Sequence, residues 1–237
     1  CICKQPIKIW ATKKVIFPLR KCYAIVYYLC QCIPIFQKKK TKKYATQSNN
    51  IHTTPMPKLS SLLPTIKHLY RNYKACKHMP YIPEIKITDD LILSSATKKE
   101  INKLKEFKTA ADGHYGIPWY LTSLIFRRKL CFVIRKANGK TIAYRTFYFN
   151  EDDIRRGTVH DSFRYVVKEE RGKGYGNLLV ETTEQYFENH TSIKGFTSKV
   201  LESNIASAKS ILKQGYRIIS WENNAEGERI NYYLRDL

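Results

Sequence analysis

Three glycines within five residues, Gly172, Gly174 and Gly176 in "VVKEERGKGYGNLLVE", separate an apolar run ending at Val166–Val167 from a helical apolar pattern. Glycine gives up more conformational freedom on folding than any other residue, so a cluster of it needs a reason. Two reasons are common: the backbone turns sharply, or it passes close to a ligand. The neighbouring elements have to be read around this junction.

Upstream, "EIKITDDLILSSA" has strand-like stretches around Ile85–Ile87 and Leu91–Leu93. In "TKKEINKLKEFK", Thr97 and Glu100 stand at the capping-box spacing, and Ile101, Leu104 and Phe107 follow at intervals of three, which predicts an amphipathic helix. Residues 109–122 read as irregular. "KLCFVIRKANGKTIAYRTFYFN" reads as a hairpin, its two β-rich runs flanking Asn138-Gly139, the favoured type I′ pair. A polar loop, "EDDIRRG", leads to a third run from Thr158 to Val167. After the glycines come a helix from Gly176 to about His190, a strand in "SIKGFTSKV" and a helix starting near Ser203/Asn204 and ending at Gly215. Two final strands lie in "YRIIS" and "RINYYLRD". A meander followed by crossover helices predicts an α/β protein of the mixed, α+β kind: a central, mostly antiparallel sheet flanked by helices.

Charge divides the chain. Sixteen of its 42 basic residues and none of its 20 acidic ones fall before Glu84. We therefore expect a basic N-terminal extension over 1–83 and a domain over 84–237. The first reading of such an extension is a solvated or processed tail. Contact with nucleic acid or an anionic membrane is the sharper reading. Its most apolar piece, Cys22 to Phe36, is short of the about 20 residues that span a bilayer. Residues 37–60 read as linker, and "LSSLLPTIKHLYRNYKACKH" as a broken helix. The seven cysteines show neither zinc spacing nor a disulfide framework. Reduced thiols fit a cytoplasmic protein, while the basic leader keeps organelle targeting open.

The glycine cluster fits neither a P-loop, which needs a Lys-Ser/Thr end, nor a dinucleotide fingerprint, whose third glycine stands one residue later. A tight turn without a ligand is the plain alternative. The physics still favours an anion. A strand entering a helix through glycines points several backbone N–H groups at one spot, where the first helical turn has unpaired donors and partial positive charge. Arg171 and Lys173 add to it.

"Arg171-Gly-Lys-Gly174-Tyr-Gly176" resembles the R/Q-x-x-G-x-G/A motif of the GCN5-related N-acetyltransferase superfamily. Val166 lies where that family has an apolar strand residue, Asn204 matches its Asn, and Gly215-Tyr216 matches its Gly-Phe/Tyr pair. The resemblance covers roughly residues 84–237. It implies transfer of acetyl from acetyl-CoA to a primary amine by direct attack in a ternary complex. The amides of Arg171, Gly172, Lys173, Gly174, Tyr175 and Gly176 would hold the pyrophosphate. The strand edge at Val166 and Val167 would pair with the pantetheine arm, and the strand near Thr197–Val200 would splay away.

His160 stands eleven residues before Arg171, where some members place a general base. An ordinary imidazole pKa suits that task. Two-residue alternation puts His160, Ser162, Arg164 and Val166 on one face and Asp161 on the other. Glu151, Asp152 and Asp153 read either as groups acting through water or binding a cationic acceptor, or as a solvated loop. One departure stands out: Ile211 occupies the position where many members carry a Tyr general acid. Tyr216 reads as core, and Asn204 also as a helix cap. The acceptor, an amine-bearing small molecule, peptide or protein, would be read by the segment around Gly116–Leu124, by "EDDIRRG" and by the last two strands. Tyr115, Trp119 and Tyr120 would line that cleft or serve as core. The second reading is a catalytically weak or inactive coenzyme A- or nucleic-acid-binding module of the same fold. A third is an acyltransferase for longer chains.

Overall fold

The computed structural model describes residues 59–108 and 116–237. The extension before Leu59, with its apolar stretch, its linker and most of its basic run, lies outside them, as do residues 109–115 with Tyr115.

Eight strands form one sheet in the order β1-β2-β3-β4-β5-β6-β8-β7. They are β1 (Ile85–Thr88), β2 (Leu91–Ser95), β3 (Cys131–Lys136), β4 (Thr141–Tyr148), β5 (Val159–Val166), β6 (Gly195–Leu201), β7 (Arg217–Asn223) and β8 (Arg229–Asp236). Every pairing is antiparallel except β5 with β6. The helices are α1 (Leu59–Cys76), α2 (Lys98–Lys108), α3 (Ile117–Leu130), α4 (Glu151–Arg156), α5 (Tyr175–His190) and α6 (Ile205–Lys213). This is the mixed, mostly antiparallel sheet flanked by helices that the sequence predicts.

The local signals act as expected at α2. The Thr97 amide donates to Glu100 Oε2 at 2.6 Å, and the Glu100 amide donates to Thr97 Oγ1 at 3.3 Å. Ile101 and Leu104 are fully buried. The apolar side of α5 closes over the sheet through Phe132, Phe147, Tyr186, Phe187 and Phe196, whose rings pack 4.9–5.9 Å apart, edge-on or tilted. Such pairs contribute about 0.5–1.5 kcal/mol each beyond area burial. At the start of β6, a Cβ on Gly195 would sit 2.3 Å from the Arg235 carbonyl oxygen, so only glycine lets β6 and β8 approach this closely.

Four local expectations are corrected. The compact unit reaches back to α1, well before residue 84. Helix α1 belongs to it: Leu69 and Asn72 are fully buried, and Asn72 both accepts from the Phe149 amide at 2.8 Å and donates to its carbonyl at 3.1 Å. Composition marked this stretch as extension because it lacks acids, but burial depends on its apolar face. Residues 117–122 open α3 instead of an irregular segment. Trp119 through Leu124 are all buried, so the helix has no polar stripe and no 3.6-residue signature. "EDDIRR" is α4, started by a reciprocal box between Asn150 and Asp153 and ended by Gly157 at φ 74°. The hairpin closes through a three-residue loop: Gly139 N–H donates to Lys136 O, and Lys136 N–H donates to Lys140 O. Gly139 alone supplies the left-handed step, the three-residue alternative to a type I′ turn.

Candidate active site

The glycine junction is a backbone-lined cradle. Gly174, at φ 84°, is the N-cap of α5 and has no side chain to cap it. Gly172 also lies in the left-handed region, and a Cβ on either residue would meet nothing within 4 Å. Among the described residues, no backbone acceptor takes the amides of 172–177, while Leu178 N–H resumes the helical pattern on Gly174 O. Donors at a helix N-terminus with open space before them suit an anion. Gly176 has an ordinary φ, and a methyl there would only touch Val166 at 3.7 Å. The fold itself does not require glycine at 176.

The charged side chains around the cradle are partly committed. Lys173 donates to Glu170 Oε2 at 3.0 Å and Lys136 to Glu170 Oε1 at 2.7 Å, with Lys140 4.0 Å away. The hydrogen bonds from Lys136 and then Lys173 hold the Glu170 carboxyl at about 2. Lys173 therefore shares its charge with an acid that sequence reasoning passed over. Arg171 folds back: its Nε donates to Val166 O at 3.1 Å and its guanidinium lies 5.3 Å from the Tyr165 ring centre.

A wedge opens beside the cradle. β5 and β6 pair only at Val159↔Phe196 and His160↔Thr197. Beyond that, Ser198 Oγ donates to Asp161 O at 3.1 Å, and then the strands run on to Val166 and Leu201 unpaired. The Val167 amide donates to Ile142 O on β4, so alternation turns the Val166 backbone toward the wedge. Of the two valines named for the edge, Val166 presents its backbone there and Val167 does not present its amide. Asn204 caps α6, its Oδ1 accepting from Ser207 N–H at 3.2 Å.

His160 lies at the closed end of the wedge, 4% exposed. A β-bulge changes which residues share its face. Thr146 pairs with Phe163 and Phe147 with Asp161, leaving Ser162 as the extra residue. Facing pairs lie on one side of a sheet, so Asp161, Arg164 and Val166 share a face, and His160 lies on the other with Phe163 and Tyr165. The expected grouping of His160 with Arg164 and Val166 fails because strict alternation cannot anticipate a bulge. Ser162 Oγ is hydrogen-bonded to Thr146 Oγ1 at 2.9 Å and accepts Trp119 Nε1–H at 2.9 Å, which ties α3 to the bulge. Trp119 and Tyr120 are buried and serve as core.

Behind the wedge, on the α5 side, Arg145 is fully buried. Its Nε and Nη2 donate to Asp161 Oδ2 at 3.1 and 2.9 Å, its Nη1 to Thr183 Oγ1 at 2.5 Å, and Glu184 lies 3.5 Å away. Burial raises the pKa of Glu184 against the pull of Arg145 and Arg235. Tyr216 is core, as expected, its hydroxyl 3.4 Å from Arg145 Nη2. Ile211 is packed in the same core. Sequence reasoning missed Arg145, although a charge in the middle of "IAYRTFYF" is a detectable signal.

On the His160 face, Thr197 and Asp153 form a second polar cluster. His160 Nδ1 is 2.9 Å from Thr197 Oγ1, and Thr197 donates to Asp153 Oδ1 at 2.6 Å. The Tyr148 ring lies 4.6 Å from the imidazole. Asp153 is fully buried, not part of a solvated loop.

Residues 99–216 match the family described as Acetyltransferase (GNAT) family. No curated protein matches the chain. Ard1 from Thermoplasma volcanium is 14% identical over 62% of this chain and 98% of its own, at a TM-score of 0.51. Arabidopsis thaliana Naa50, solved with the bisubstrate analogue CoA-Ac-MVNAL, is 15% identical over 62% of this chain and 99% of its own, also at 0.51. So is a Salmonella typhimurium acetyl transferase that modifies the N-terminal serine of ribosomal protein L7/L12, with 15% identity over 65% of this chain and 99% of its own, at 0.51. At these identities the likeness to the solved structures is one of fold.

Proposed function

Since residues 99–216 of this chain belong to the acetyltransferase (GNAT) family, making it an acyltransferase, we propose that it moves acetyl from acetyl-CoA to a primary amine within a ternary complex. The observation that carries this reading is the unpaired wedge between β5 and β6 ending on the glycine cradle. An extended arm with amide groups fits a free strand edge, and a diphosphate fits a side-chain-free helix N-terminus. The two features adjoin where Gly176 meets Val166, so a ligand carrying both groups in sequence satisfies them together.

In this reading the amides of Gly172 to Gly176 hold the pyrophosphate, the Arg171 amide being taken by Lys168 O at 3.4 Å, and the Val166 backbone pairs with the arm. The thioester then lies toward the closed end of the wedge, near His160. The acceptor arrives as an ammonium and leaves as an amide, so its nitrogen gives up two protons. His160 takes the first. The amine attacks the carbonyl carbon, the C–N bond forms and the C–S bond breaks. The departing thiolate takes one proton and solvent the other. With Ile211 where a phenol is frequent, the imidazolium made in the first step serves as the proton source for the thiolate. Positioning supplies much of the rate and a general base on the order of 10²–10⁴-fold.

The test is thiol release by the full chain from acetyl-CoA over a panel of amines. Because structural neighbours include enzymes described as acting on peptide or protein N-termini, a short peptide with a free α-amine is the first acceptor to try. Saturable release with a mass-shifted product is expected. Coenzyme A binding without release on any acceptor would favour the catalytically inactive module.

A further inference from the structure

We propose that Asp153 and Thr197 act as positioning residues that hold neutral His160 in its Nδ1–H tautomer, so that Nε2 is the ring nitrogen that accepts a proton. Asp153 is 0% exposed, and its carboxylate is a pure acceptor. Oδ2 accepts the Asn150 amide at 3.1 Å, while Oδ1 accepts the hydroxyls of Thr158 at 3.0 Å and Thr197 at 2.6 Å. The Thr197 hydroxyl has one proton, and the short contact to Asp153 uses it. What Thr197 offers His160 at 2.9 Å is therefore a lone pair, so the imidazole must donate through Nδ1–H. A neutral imidazole with its proton on Nδ1 has its basic lone pair on Nε2.

The scaffold makes this relay stiff. Asp153 is the N3 residue of the α4 box, so its carboxylate is held by the turn that starts the helix. Thr197 and His160 are the last directly paired residues before β5 and β6 part. The relay thus spans the hinge of the wedge from the side opposite Arg145, and the Tyr148 ring packs on the imidazole from β4. When the ring takes a second proton at Nε2, both nitrogens become donors, and the Nδ1 bond through Thr197 to the carboxylate opposes no part of that change. The use of Nε2 as the base rests on the acetyl-transfer reading above; the tautomer itself does not.

Long-range proton–nitrogen NMR correlations of the histidine rings, on the uniformly labelled full chain, test it. The His160 signals are identified by their loss in His160→Gln. The native ring is expected to show a pyrrole-type Nδ1 and a pyridine-type Nε2. Thr197→Val, which keeps the shape and removes the relay, is expected to shift the ring toward the Nε2–H form, and Thr197→Ser to restore the native pattern. In thiol release from acetyl-CoA to a short peptide amine, Thr197→Val is expected to lower kcat on the order of a hundredfold with KM for acetyl-CoA little changed, and Thr197→Ser to recover it. A native ring in the Nε2–H form, or an unaltered pattern in a folded Thr197→Val protein, would overturn the relay. If the tautomer is as stated but His160→Gln transfers acetyl undiminished, the relay stands and its use by the base is overturned.

Discussion

The two ends of the wedge are built from opposite materials. At the open end the glycine cradle is made of backbone amides, lies at the surface and is contiguous in the chain. At the closed end, side chains do the work: Arg145, Asp161 and Glu184 behind the sheet, His160, Thr197 and Asp153 in front, all buried except the half-buried Thr197 and drawn from β4, β5, β6, α4 and α5. A backbone cradle can bind an anion without a buried charge. A buried polar cluster holds its geometry only while every member has a partner, because an unpaired charge in a dry interior is strongly unfavourable. The open end should therefore fail by losing ligand, and the closed end by losing the fold.

The sharpest break of this contrast is Arg145→Met. It leaves the buried Asp161 with only Arg164, 3.9 Å away, while Glu184 keeps Arg235 at 2.8 Å, and we expect a loss of about 3–5 kcal/mol in denaturant melts. Replacing Asp161 by Leu as well should recover part of it. A melt unchanged by Arg145→Met would show that the closed end tolerates its charges in another way.

Gly174→Ala probes the open end. A methyl there meets no atoms, so the penalty is the left-handed backbone alone, about 1–2 kcal/mol. Coenzyme A affinity, measured by calorimetry, is expected to fall by more than this stability loss explains. Equal losses in both would deny the cradle its role.

Glu170→Gln releases Lys136 and Lys173 and should tighten coenzyme A binding within about fivefold, an effect that added salt erases. A weaker complex would mean that the carboxylate orders the turn more than it competes for its lysines.

The smallest effect separates stability from ligand binding by pH. Burial, helped by Arg71, holds His68 on α1 at about 4, below its ordinary 6.5. Its folded-state value is depressed, so the unfolded chain takes up a proton that the fold refuses. Stability is then complete above 6.5 and declines as pH falls toward about 4. Burial pushes Glu100 up, but hydrogen bonds from Arg135, Thr141 and Thr97 outweigh it and hold it at about 2. Its contribution is present above 4.5 and is lost only as pH falls toward 2. Glu170, also at about 2, keeps its charge throughout the first window. Between pH 6.5 and 4.5, melts should therefore slope while coenzyme A affinity stays level, and His68→Gln should flatten the slope.

Legibility followed the range of the interactions. The α2 box, the α5 and α6 starts and the glycine junction rest on contacts within a few residues, and a linear reading finds them. Helix α3 escaped because burial on all sides erases its periodicity. Helix α4 escaped because its acids look like a solvated loop, although Asn150 and Asp153 stand at a capping spacing. Helix α1 was read as part of a basic extension, yet Leu69 and Asn72 bury it against the end of β4.

By itself, the sequence determined the mixed sheet, the order of its main elements, the glycine-built strand-to-helix junction at 171–176 and the family resemblance, because strand alternation, helix caps and glycine backbone freedom are properties of adjacent residues. Only the tertiary structure decided where β5 and β6 part, which side of the sheet His160 shares, and that Asp153 and Thr197 stand behind it. Those facts depend on one bulged residue and on hydrogen bonds spanning up to 44 positions, and no local pattern in the chain encodes either.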